Sequence, residues 1–248
     1  MLRRLLLTSL IVVAGLSTTA PAGAENAAPA VDKAAIETIV HDYLLHHPEV
    51  ILESVEALRK QEAAAADVEQ RTALASRQQE LFHDQNAPVV GNPAGDVTVV
   101  EFTDYQCGYC KASYADVTRL VTDDGHIRLV FKEFPILGPA SVTAAKVALA
   151  ARKQNKYAEV RDALMTHRGP LDEDTVLHLA ADAGANRDQL KHDMDDPAIA
   201  QTISANLKLA DALGINGTPA FVIGDQVYPG VMALQAMKEL VANARKPG

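Results

Sequence analysis

The chain has 248 residues, two cysteines, no tryptophan, 48% hydrophobic residues and 22% charged residues. So few thiols exclude a disulfide-rich scaffold, and this length admits one large domain or a domain with a sizeable appendage. A formal net charge of -9 opposes phosphate backbones and anionic lipid, so nucleic acid is not expected as a partner.

Arg3 and Arg4, the apolar run Leu5 to Leu16 and the small residues Ala22-Gly23-Ala24 have the layout of a secretory signal peptide over residues 1–24, cleaved near Ala24. Thr8, Ser9 and Gly15 interrupt the run, which falls short of the roughly 18–20 apolar residues a membrane anchor needs. The pattern predicts export, to the periplasm, where disulfide chemistry is possible. Residues 25–86 follow as a helical region. Ile36, Ile39, Val40, Tyr43 and Leu44 recur at helical spacing up to His46, and Pro48 opens a second helix whose stripe, Val50, Ile51, Val55 and Leu58, extends to about Phe82. Such a stripe cannot enclose its own core, which predicts an oligomerisation stalk, dimeric or trimeric.

Pro88, Gly91, Pro93 and Gly95 mark a turn-rich boundary, and residues 87–248 form a second domain. Val97 to Thr103 is a strand, Cys107 to Val121 a helix and Ile127 to Phe134 another strand, a β-α-β unit. Helical patterning then holds from Ser141 to Leu213, with Asp172 as an N-cap, Pro197 at a helix start and Gly214 as a stop. Ala220 to Ile223 and Gln226 to Tyr228 flank Gly224-Asp225 as a hairpin, and a last helix covers Val231 to Ala244.

Cys107-Gly108-Tyr109-Cys110 follows a strand and opens a helix. Unpaired N–H groups at a helix N-terminus favour thiolate over thiol, which points to redox work with Cys107 as the exposed nucleophile. Cys110, one turn on and more buried, would resolve a mixed disulfide by attacking Cys107. Half a zinc site is disfavoured because there is no second C-x-x-C and His41, His46, His47 and His83 lie in the stalk region; no metal or other cofactor is expected. A structural disulfide across two residues would close too small a loop to stabilise much.

With Phe102-Thr103-Asp104-Tyr105-Gln106 before the motif, Lys111 after it and Gly217-Thr218-Pro219-Ala220-Phe221 further on, the chain resembles the DsbA-type thioredoxin-fold disulfide oxidoreductases over about residues 88–248. The resemblance implies an α/β thioredoxin-like fold with a helical subdomain inserted at about 138–213. It also implies a cis bond before Pro219 and a loop that sets Thr218 against Cys107, where its backbone pairs with a substrate strand. Tyr43-Leu44-Leu45-His46-His47-Pro48-Glu49-Val50-Ile51 is similar to the oligomerising segment of the ScsC branch, whose stalked members are disulfide isomerases.

Glu101 and Lys132 are charged residues inside apolar strands, six residues before Cys107 and within the second strand. Adjacent strands could pair them beneath the site as a proton relay for Cys110. Tyr109 stands where the strongest oxidases of the family have histidine, which implies a less oxidising couple. The expected activity is a periplasmic thiol-disulfide oxidoreductase, a disulfide isomerase acting on cysteine-containing exported proteins, with a membrane redox partner. A disulfide-donating oxidase and a Cu(I)-binding chaperone holding metal on the two thiolates are the alternatives.

Overall fold

The computed structural model describes residues 32–246, so the expected signal peptide lies outside the described residues. The chain divides into two compact units between Leu58 and Arg59.

The first unit holds α1 (Lys33–His46) and the opening turns of α2 (Glu49–Ser76). Asp32 caps α1, its carboxylate accepting from the Ala34 N–H at 3.1 Å, which satisfies one of the orphan donors of the first turn. No residue of α1 is buried, and Ile39, Leu45 and Leu52 are each about two-thirds exposed. Among the described residues, no helix is long and apolar enough to cross a membrane.

The second unit contains the rest of α2, α3 (Gln78–Phe82), β1 (Val89–Gly91), β2 (Val97–Thr103), α4 (Gly108–Asp124) and β3 (Ile127–Glu133). Five helices follow: α5 (Pro139–Arg152), α6 (Tyr157–Thr166), α7 (Glu173–Asp182), α8 (Arg187–Asp193) and α9 (Pro197–Ala212). The hairpin β4 (Ala220–Ile223) and β5 (Gln226–Pro229) then precedes α10 (Leu234–Ala244). The sheet order is β1-β3-β2-β4-β5, with β2 and β3 parallel across the α4 crossover and every other pair antiparallel. This is a thioredoxin-like α/β fold with the expected inserted helices and an N-terminal helical segment.

Alternation along the central strands divides the core. Val99, Leu129, Phe131 and Phe221 face α4, the inserted helices and α10, whereas Val100, Phe102, Val130 and Val222 face the opposite side. That opposite side is covered by Leu74 of α2, Leu81 of α3 and Leu209 of α9. Leu74 and Leu81 are 4% and 0% exposed, and each such side chain stabilises by about 2–3 kcal/mol through burial. Leu74 and Leu81, within residues 25–86, are thus packed on the sheet. Two further differences are local. The second helix stops at Ser76, because Arg77 leaves helical geometry (φ -116°, ψ 21°), and α3 is separate. The turn-rich segment contains the edge strand β1, where Gly91 holds φ +81° and any added Cβ would lie 2.6 Å from the Ile127 carbonyl oxygen.

Candidate functional site

The last residues of β2 run into Asp104, Tyr105 and Gln106, and Cys107 is the N-cap of the 17-residue helix α4. Asp104 builds this turn. Its carboxylate accepts from the Gln106 N–H at 2.8 Å, from Ile136 at 2.9 Å and from Leu137 at 3.1 Å, while its carbonyl accepts from the Cys107 N–H at 3.1 Å. One buried acid thus ties the turn ahead of α4 to the loop after β3.

Across from it, the chain leaves α9, turns at Gly214 and enters β4 through Thr218-Pro219, whose peptide bond is cis. The Cys107 thiol donates to the Thr218 carbonyl at 3.2 Å. Both cysteines are free thiols. Cys107, expected to be exposed, is only 6% accessible, though it remains more open than Cys110 at 1%. Burial is the main influence on the Cys110 thiol and pushes its pKa well up, with the charge of Glu101 adding to the effect. Gly108 faces open space and Tyr109 is 71% exposed, so the two intervening residues form the rim of the site. A cavity of about 310 Å³ runs along Gly217, Thr218 and Pro219 to Val227 and Pro229 of β5.

Glu101 and Lys132 are not brought together. The parallel register sets Glu101 beside Phe131 and Phe102 beside Lys132, so successive residues send the two charges to opposite faces of the sheet. Glu101 meets Arg161 of α6, with a guanidinium nitrogen donating to Oε2 at 3.1 Å. Burial raises the Glu101 pKa and Arg161 works against that rise. Lys132, on the other face, donates to Asp84 at 2.7 Å beside a cavity of about 490 Å³ lined also by Asn206 and Leu209. Burial lowers its pKa and Asp84 opposes the shift.

Arg161 and Asp104 were not singled out from sequence, nor was the buried acid Glu133. Arg161 had one sequence signal: a cation amid the apolar positions Val160 and Leu164, one turn after Tyr157. Its guanidinium carbon lies 4.0 Å from the ring centroid of Phe131 and 5.1 Å from that of Tyr114. Two soft sulfurs at Cys107 and Cys110 are the natural metal donors of the site. Among the described residues no group of three or more His, Cys, Asp or Glu side chains is arranged to hold a metal.

Residues 83–243 match the family described as Thioredoxin, and residues 32–65 match the copper resistance protein ScsC N-terminal domain. The chain belongs to the thioredoxin family. Within that family it is DsbA-like. It is 46% identical to a thioredoxin-like oxidoreductase from Silicibacter pomeroyi, with a TM-score of 0.67 over 68% of this chain and 98% of that one. The thiol-disulfide exchange protein alpha-DsbA2 of Wolbachia pipientis is 33% identical, with a TM-score of 0.68 over 72% and 97% of the two chains. A linker-deletion mutant of Proteus mirabilis ScsC is 26% identical with a TM-score of 0.67, over 88% of this chain and 98% of the mutant. Among curated proteins, the match to the Na(+)/H(+) antiporter NhaA 1 of Salinispora arenicola is 30% identical over 158 residues, 63% of this chain and 24% of the antiporter. The chain thus spans about a quarter of the curated relatives it matches first.

Proposed function

We propose that this protein is an exported thiol-disulfide oxidoreductase that isomerises wrong disulfides in other exported proteins. The observation that carries the reading is the Cys107 sulfur at the N-cap of α4, 3.2 Å from the Thr218 carbonyl, with Cys110 one turn deeper. An extended substrate strand can displace that contact, pair with the Thr218 backbone and place its own sulfur on Cys107. Cys107 then attacks as thiolate, the substrate disulfide breaks, and the substrate rearranges while tethered. Where rearrangement stalls, Cys110 attacks Cys107 and frees the substrate. Thr218 and Pro219 are the substrate-binding residues in this scheme, and Glu101, held by Arg161, is the buried carboxyl whose charge acts on the Cys110 thiol. Tyr109, exposed and neutral, gives the nucleophile no cationic support, which fits a weakly oxidising couple suited to isomerisation.

The exposed stripe of α1 and early α2, together with the match to the ScsC N-terminal domain, supports self-association through residues 32–65, as a dimer or trimer. Reducing equivalents would come from a membrane partner.

Refolding of scrambled ribonuclease tests the reading. The mature chain should restore activity, and a chain beginning at Arg59, which keeps Leu74 and Leu81 in the core, should retain dithiol oxidation but lose isomerisation. Equal isomerisation by both would remove the stalk from the mechanism. Disulfide donation to reduced ribonuclease without isomerisation by the mature chain would favour the oxidase instead.

A further inference from the structure

On the face of the sheet that carries Glu101 lies a closed polar cluster that disulfide exchange does not by itself require. Glu133, the last residue of β3, is fully buried. Tyr105, from the turn before α4, donates to Glu133 Oε1 at 2.8 Å, and Tyr157 of α6 donates to the same oxygen at 2.6 Å. The other oxygen, Oε2, is sealed from solvent with no partner among the described residues. Thr103 is opposite Glu133 in the β2–β3 register, and its hydroxyl is likewise sealed and unpartnered.

The charges in this cluster do not balance. Three buried acids, Glu101, Asp104 and Glu133, face one buried cation, Arg161, which spends a terminal nitrogen on Glu101 and leaves its Nε without a partner. The remaining groups around Glu133 supply no compensating charge. Asp104 is already satisfied by three backbone N–H groups; Tyr105, Tyr157 and the Tyr114 ring over Arg161 are neutral. From α9, Asn206 reaches only the Glu133 backbone carbonyl, at 3.1 Å. With all three ionised, a net negative charge sits where water cannot reach it, a costly state. One proton on Glu133 Oε2 removes one unit of that charge.

We propose that Glu133 is a positioning residue for the resolving step, a carboxyl that takes up and releases one proton on the same face of the sheet as Glu101 and so sets how readily Cys110 is deprotonated. The proposal rests on the reading of Cys107 and Cys110 as the redox pair. In the step concerned, Cys110 gives its proton to the Glu101 carboxylate and its sulfur attacks Cys107. The bond between Cys107 and the substrate sulfur breaks, and the substrate leaves as a thiolate that takes a proton from solvent. The pair is thereby oxidised to a disulfide and the substrate sulfur reduced. A Cys110 thiolate is opposed by each negative charge in the cluster, and a proton on Glu133 removes one of them. Burial raises the Glu133 pKa to about 7, against the pull of the two phenols, so the cluster changes charge at neutral pH.

Reaction of the reduced protein with Ellman's reagent reads the step directly. The first thionitrobenzoate is released when Cys107 forms the mixed disulfide, the second when Cys110 resolves it. In the wild type, the second phase should accelerate with pH, flatten across neutrality as Glu133 ionises, and then resume its rise. In Glu133→Gln, which keeps an acceptor for the phenols but cannot ionise, the flattening should vanish, so the ratio of variant to wild-type rate should climb by about three- to tenfold from acid to alkaline pH. Tyr157→Phe, which removes one donor to the ionised carboxyl, should move the flattening to higher pH, and this variant decides the matter where Glu133→Gln does not fold. A purely structural role would lower stability and leave the shape of these profiles unchanged. Superimposable profiles for wild type and variants, with both phases intact, would overturn the proposal while leaving the redox pair standing. Absence of the second phase in the wild type would instead remove the redox reading on which the proposal depends.

Discussion

Replacing Arg161 by methionine removes the one cation that faces Glu101 while keeping much of the apolar length of the side chain. The two partners are 7% and 1% exposed and 3.1 Å apart, so the carboxylate left behind can be neither hydrated nor re-paired without rearrangement. Breaking a buried pair from one side costs about 3–5 kcal/mol, and the lost stacking of the guanidinium over Phe131 at 4.0 Å falls within that range. For a domain of this size the melting temperature should fall by roughly 6–20 °C. The loss should also depend on pH. An unpaired buried Glu101 escapes its penalty by taking up a proton, which the native state then holds more tightly than the unfolded chain, so the deficit should be larger at pH 8 than at pH 5. Urea unfolding followed by far-ultraviolet circular dichroism is the appropriate assay, because the chain has no tryptophan. The double variant Glu101→Met with Arg161→Met should recover most of the loss, since the desolvation penalty of both ions disappears together. A single-variant loss below about 1 kcal/mol, or a double variant no more stable than the single, would refute the view that burial of this pair dominates its energetics.

Three further outcomes are expected. Glu133 goes from an ordinary carboxyl value of 4.5 to about 7 on folding, so the native state holds a proton that the unfolded chain releases. Stability should therefore decline by about 3 kcal/mol as pH rises through that window and then level off, a decline that Glu133→Gln should abolish in denaturation curves taken at several pH values. Lys132→Met should cost about 2 kcal/mol by leaving Asp84 unpaired on the far face of the sheet, yet a redox titration of Cys107 and Cys110 should match the wild type; a shifted titration would return Lys132 to the site. Gly91→Ala, at φ +81° with the new Cβ 2.6 Å from the Ile127 carbonyl oxygen, should destabilise by about 1–3 kcal/mol in thermal melts, and an unchanged melt would contradict the packing of β1.

The thiol motif and the order of elements were legible because they depend on local pattern. Val97 to Thr103 and Ile127 to Glu133 are β-branched and aromatic runs, and the inserted helices carry caps such as Asp172, which accepts from the Thr175 N–H at 2.8 Å. What stayed hidden depends on distant partners. β1 is three residues long and exists through its pairing with β3, so no local propensity announces it. The partners of the two strand charges come from segments 60 and 48 residues away, at Arg161 and Asp84, and only the register shows that Glu101 and Lys132 look in opposite directions. Leu74 and Leu81 belong to a helical pattern that reads as stalk until the uncovered face of the sheet is seen to need them.

On the proposed function, the recess of Cys107 beneath the Thr218 carbonyl would sort clients by looseness of their own chain. A sulfur that surrenders only 6% of its residue surface can be approached by a thin, unstructured segment able to lie along the loop, whereas a disulfide clasped inside a finished globule presents bulk on every side. A native bond would then be spared by its own surroundings, and a wrong one reached because it leaves the polypeptide around it slack. Selection of this kind would need no recognition of sequence; it would follow from a nucleophile almost closed off from solvent.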